Sequence, residues 1–162
     1  MVQARPEDVD RVADLWKAML AHHADIAGGE WPVRAADESW TRRRATYDQW
    51  LANGNGMLLL AVAEDAPESE PDGYAAVQIH PPGATFDLGQ LGELDSLAVA
   101  PHARGTGIGT LLIDAARDAL RRRGVVYWKV GVVEGNDGAM RLYEREGFRP
   151  FWRALVARIE PA

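Results

Sequence analysis

The chain has 162 residues, a length that suits one domain (1–162) with its own core, and 47% hydrophobic and 26% charged residues place it among globular proteins. No apolar run nears the roughly 18 residues of a membrane helix, the first residues lack the basic and apolar regions of a secretion signal, and a cytoplasmic protein is expected. Cysteine is absent, which excludes disulfides, thiolate nucleophiles and zinc–thiolate sites, and a net charge of −6 argues against nucleic-acid binding while suiting solubility or a cationic amine substrate.

Val2 to Ala4 reads as a short first strand. Pro6, Glu7 and Asp8 suit a helix start, and Val9, Val12, Trp16, Met19 and Leu20 recur at helical spacing, so a helix is expected from Pro6 to His22. His22 and His23 close it, as a cap or a half-buried pair, or as a substrate-site proton relay; no third ligand stands at metal spacing. After a loop holding Trp31 comes a second helix, about residues 38 to 52, capped by Asp37 or Ser39. Its aromatics, Trp40, Tyr47 and Trp50, suit packing on a sheet; Trp31 and Trp40 are also candidates for the wall of an acceptor pocket.

Asn53 to Gly56 is a turn, Met57 to Ala63 an apolar strand, and Gly73 to Ile79 its hairpin partner across an acidic, proline-bearing turn. His80, beside two prolines, is a loop residue or a substrate contact. A further strand ends at Val99 and runs into a glycine-rich turn, Arg104 to Gly109. The helix that follows carries the stripe Ile108, Leu111, Leu112, Ala115, Ala116, Ala119 and Leu120, with Arg121 to Arg123 and Gly124 at its end. Val125 to Val133 reads as a strand parallel to the one before the turn, joined by a right-handed crossover. Asn136 or Asp137 caps a short helix that Gly147 ends, and Phe148 to Ile159 is expected to supply one or two final strands, with Pro150 at a bend or edge.

Gly105, Gly107 and Gly109 allow close approach of the backbone to a ligand, and the first amides of the following helix are unpaired at its positive end. The turn is therefore an anion site for phosphate or pyrophosphate, or an ordinary strand-to-helix turn. No Gly-Lys-Ser/Thr follows, and the glycines do not spell the dinucleotide fingerprint, which disfavours a nucleotide binder. The pattern Arg-x-x-Gly-x-Gly resembles the pyrophosphate loop of the GNAT superfamily of N-acetyltransferases. Asn-x-x-Ala-x-x-Leu-Tyr-Glu-x-x-Gly-Phe, residues 136 to 148, is similar to that superfamily's second block, and it stands in the right order one strand later.

The resemblance implies a mixed α/β fold, the acyl-CoA N-acyltransferase fold: a mostly antiparallel sheet with a central parallel strand pair and helices on both faces. It implies acetyl-CoA as co-substrate, no metal, a small-molecule or peptide amine as acceptor, direct transfer in a ternary complex, and a monomer or homodimer. Residue by residue, it implies pyrophosphate contacts from Arg104, Gly105, Thr106, Gly107, Ile108, Gly109 and Thr110, and pantetheine contacts from Leu97, Ala98 and Val99. Asn136 and Tyr143 would also contact the co-substrate, with Tyr143 as general acid and the amide near Val99 as oxyanion donor.

An alkylammonium must also lose a proton. With strict alternation, Glu93, Asp95, Leu97 and Val99 share one face of a central strand, where carboxylates are costly unless paired or used. Glu93 stands six residues before Val99, the spacing of the general-base Glu in the histone-acetyltransferase branch. It is the candidate base; Asp95 is the alternative base or an amine anchor. Both could instead lie at a solvated strand end or pair with Lys129. A CoA-binding sensor without turnover is the competing function.

Overall fold

The computed structural model describes residues 1–159. Five strands form one sheet in sequence order: β1 (Val2–Gln3), β2 (Gly56–Ala61), β3 (Gly73–His80), β4 (Leu91–Val99) and β5 (Tyr127–Val130). The first four pair antiparallel; β4 and β5 pair parallel, as the crossover through α3 (Ile108–Arg122) requires. One face carries α1 (Ala13–Ala27) and α2 (Ala36–Asn53) over Leu58, Leu60, Tyr74, Ala76 and Ala98. The other carries α3 and α4 (Asp137–Arg145) over Met57, Leu59, Ala75, Val77 and Leu94. Strand β2 alternates between the two cores, which is why it reads as a continuous apolar run.

Sequence and structure differ at several element ends. Pro6–Val12 is a 3₁₀ turn, and α1 proper begins at Ala13. It runs past His22 and His23 to Ala27, because the first residue able to stop it is Gly28, left-handed at φ 59°. The histidines are therefore interior to the helix and cap nothing. Neither Asp37 nor Ser39 caps α2, whose N-cap is Ala35. Asp37 pairs with Lys17 at 2.7 Å, and the Ser39 hydroxyl accepts the Trp16 indole N–H at 3.1 Å. In α3, Leu111 departs from the apolar stripe and is exposed.

The register of β4 is the most consequential departure. Val77 pairs with Leu94 but Ala76 pairs with Ser96, so Asp95 is an extra residue, a β-bulge. The bulge breaks the alternation on which a single face from Glu93 to Val99 depends. Glu93 lies opposite Gln78 on the α1–α2 face, whereas Leu97 and Val99 pack with the α3–α4 core. Gly92, one residue earlier, points at α3: a Cβ there would sit 2.8 Å from Leu120 Cδ1.

No strand forms between Arg149 and Ile159 among the described residues. Phe148 packs on Trp128 and Tyr143, and Phe151 packs on Phe86 of the β3–β4 loop, with ring centroids 5.0 Å apart in the latter pair. Between them Pro150 offers no amide to a strand ladder. Strand β5 is likewise short, ending at Val130 instead of Val133, because it diverges there from β4.

Candidate active site

The divergence of β4 and β5 opens a cavity of about 910 Å³. Its walls are β4 from Asp95 to Val99, the glycine turn, residues 130–133, α4, and one face of α1. Of the residues expected to hold the co-substrate, all line this cavity except Thr106, whose hydroxyl donates to the Ala103 carbonyl at 2.7 Å and holds the turn closed.

The turn has the geometry of an anion site. Gly105 and Gly107 adopt φ of 78° and 91°, which side chains rarely tolerate, and Gly107 is the N-cap of α3. The first helical bond runs from the Leu111 amide to the Gly107 carbonyl, so the amides of 108–110 have no acceptor within the helix. They lie at the positive end of a 15-residue helix. Arg104 Nε bonds the Val99 carbonyl at 3.3 Å, and Thr110 Oγ1 donates to Glu146 at 3.1 Å, tying the turn to β4 and to the end of α4. These features fit a pyrophosphate.

Asn136 is the N-cap of α4: its Oδ1 accepts the Ala139 amide at 3.1 Å. It therefore aims the helix that presents Tyr143. The Tyr143 ring is buried edge-on to Phe148. Burial alone pushes its hydroxyl up to about 12, so it stays protonated across the physiological range.

Asp95 lines the cavity but is not a free base. Its Oδ2 accepts from Arg43 at 2.7 Å and from the Ser96 hydroxyl at 2.6 Å. Tyr47 donates to Ser96 at 3.1 Å and lies 3.4 Å from the Tyr74 hydroxyl, completing a buried polar chain beneath the cavity. Arg43 stacks over Trp16 at 4.3 Å. Burial holds the Tyr47 hydroxyl up near 12 and Tyr74 well above its ordinary value.

Glu93 does not line the cavity. One carboxylate oxygen meets His80 Nε2 at 2.6 Å and the other meets Lys129 Nζ at 3.1 Å. The pairing with Lys129 weighed for this carboxylate is present, and His80 joins it instead of facing an acceptor. Trp40 is a core residue and Trp31 is partly exposed in its loop; neither reaches the cavity.

The structure adds one group. Arg43 enters through its pairing with Asp95, a contact spanning 52 positions with no local signal in the sequence. His22 and His23, which the sequence offers as a cap, a half-buried pair or a substrate-site proton relay, line the cavity beside Leu15, Ala18 and Met19. Among the described residues no cluster of three or more His, Cys, Asp or Glu could hold a metal, and no helix is long and apolar enough to cross a membrane.

Comparison with known proteins agrees with this geometry. The model of the acetyltransferase (GNAT) family matches residues 16–148. A phosphinothricin N-acetyltransferase of Streptomyces coelicolor is 31% identical over 153 residues, 91% of this chain and 82% of that protein. A mycothiol acetyltransferase of Stackebrandtia nassauensis is 32% identical over 141 residues; the match takes 87% of this chain but only 41% of that longer protein. Among solved structures, a tetramutant protein of Bacillus halodurans superposes with a TM-score of 0.79 at 20% identity, covering 98% of this chain and all of that one. A predicted acetyltransferase of Clostridium acetobutylicum, solved with acetyl-CoA, has a TM-score of 0.72 at 21% identity over 97% of this chain and 94% of that one. The chain belongs to the acetyltransferase (GNAT) family.

Proposed function

We propose that the protein transfers an acetyl group from acetyl-CoA directly to the primary amine of a small molecule or peptide. The observation that carries this reading is one cavity walled by the anion-binding turn, the parted ends of β4 and β5, and a Tyr143 hydroxyl kept protonated by burial. Acetyl-CoA supplies the activated acetyl thioester. Around it, the amides of 108–110 hold the pyrophosphate, β4 from Leu97 to Val99 offers main-chain groups to the pantetheine arm, and the amide near Val99 is the proposed oxyanion donor.

Tyr143 is the proposed general acid, giving its proton to the departing sulfur. A pKa of about 12 keeps it charged with that proton until the sulfur needs it. On the acceptor side, Asp95 is engaged by Arg43 and so shapes the pocket floor more readily than it takes a proton. Glu93, the base suggested by spacing, could be reached from the cavity only through water, since its side chain is outside the lining and held by His80 and Lys129.

The first test is ligand-dependent melting. Acetyl-CoA at about 100 times its Kd should add roughly 2.7 kcal/mol, a rise of about 5–11 °C for a chain of this size, while ATP and NAD add nothing. Equal stabilisation by ATP would refute the acetyl-CoA assignment and favour a general nucleotide-phosphate binder. Stabilisation by acetyl-CoA without turnover on any amine would leave a silent binder.

A further inference from the structure

We propose that His23 takes the proton that the acceptor ammonium must lose. The inference rests on the amine-acetylation reading and adds a residue to it.

His23 is placed by the unexpected length of α1. Because the helix continues to Ala27, His23 sits on its cavity face one turn beyond Met19. The last turn is packed against the β5–α4 connection: a Cβ on Gly135 would lie 3.3 Å from Ile26 Cγ2. The imidazole thus lines the same cavity as Tyr143, on a helix whose end rests against the connection leading into α4. It is half-buried, and no side chain among the described residues hydrogen-bonds it; its ring neighbour is His22, 6.5 Å away between centroids. Burial first, and the His22 charge second, hold its pKa below the ordinary 6.5, so at neutral pH the ring is uncharged with a nitrogen lone pair to offer.

The other ionisable groups on the cavity fit the role less well. Asp95 of β4 is taken by Arg43 of α2 and by Ser96. Arg104 of the glycine turn and Arg145 of α4 have no lone pair to give. Tyr143 of α4 is the proton donor, and His22 of α1 is exposed. Glu93 of β4 is outside the lining.

Over the reaction the ammonium gives up two protons. One passes to the His23 ring nitrogen and from there to solvent. With the amine neutral, the N–C bond forms and the C–S bond breaks. Tyr143 protonates the sulfur, and the second amine proton restores Tyr143. No oxidant or metal is needed.

The test is His23→Gln, with His23→Asn as a second polar replacement, on any amine the wild type acetylates. The wild-type kcat should have an acidic limb below pH 6.5. In both variants kcat at pH 7 should fall about 100-fold, and the rate should climb with pH toward the pKa of the amine itself. Glu93→Gln should keep the low limb. A second readout needs no turnover: the His23 ring, followed by NMR in the free protein, should titrate below 6.5 and shift when CoA is added. If His23→Gln keeps the low limb while Glu93→Gln loses it, or the ring ignores CoA, the assignment is overturned. An inactive wild type would instead sink the acetylation reading, and the NMR titration would still judge the placement of His23.

Discussion

Replacing Tyr143 by Phe removes one hydroxyl and nothing else from the α4 wall. The ring is buried, edge-on to Phe148 at 5.6 Å, and contributes to the α3–α4 core, so a phenyl ring fills the same space. Burial is the sole cause of the raised pKa, and no side chain among the described residues hydrogen-bonds the hydroxyl. Its removal should therefore change stability by less than about 1 kcal/mol. Catalysis should respond much more. General acid catalysis is worth roughly 10²–10⁴ in rate, equivalent to about 3–5 kcal/mol of barrier. Steady-state kinetics with thiol release should then show kcat down by that factor, while acetyl-CoA affinity, measured by calorimetry, stays within about twofold. The ratio of the two effects is the point: a structural tyrosine would lose stability and affinity together. Unchanged kcat with intact affinity would remove Tyr143 as the acid.

Asp95→Asn should leave Arg43 half-buried without its carboxylate; a loss of about 2 kcal/mol is expected, lowering Tm by roughly 4–8 °C in a thermal scan. An unchanged Tm would mean the pair is dispensable. Gly107→Ala puts a side chain at φ 91°, costing about 1–2 kcal/mol; no protein atom blocks the Cβ, so the strain is conformational, and acetyl-CoA should bind at least about tenfold more weakly in a titration. Alkaline stability follows from the tyrosines. The folded values of Tyr47 and Tyr143 lie near 12 and that of Tyr74 is also raised, so their contribution is complete below pH 10. It is lost above pH 10, at up to about 1.4 kcal/mol per pH unit per tyrosine, and denaturant midpoints should fall between pH 10 and 12 as tyrosinate absorbance appears.

The co-substrate half of the site was legible in the sequence because its signals are local. Glycines at 105 and 107 follow from left-handed backbone, and Asn136 at the head of α4 follows from the amide it caps. Order along the chain then sufficed to set the two blocks on neighbouring elements. The acceptor half was not legible, since its arrangement depends on contacts distant in sequence. The bulge at Asp95 is a property of the β3–β4 register, and nothing within residues 93 to 99 announces it; strict alternation consequently put Glu93 on the wrong face relative to Val99. The partner of Asp95 comes from α2, the histidines reach the cavity only because α1 outruns them, and Trp40 is consumed by packing. Phe148 to Ile159 reads as strand because most of its residues are apolar, yet Pro150 and the docking of Phe151 on Phe86 lead the chain away from β5.

The central claim is acetyl transfer to an amine, and the most direct measurement is acetyl-CoA turnover against a panel of primary amines, small and peptidic, read both as free thiol and as the mass of the acetylated product. At least one amine should give matched amounts of thiol and N-acetyl product, well above acetyl-CoA hydrolysis without acceptor. Tight acetyl-CoA binding with thiol release never exceeding that background on any amine would contradict it.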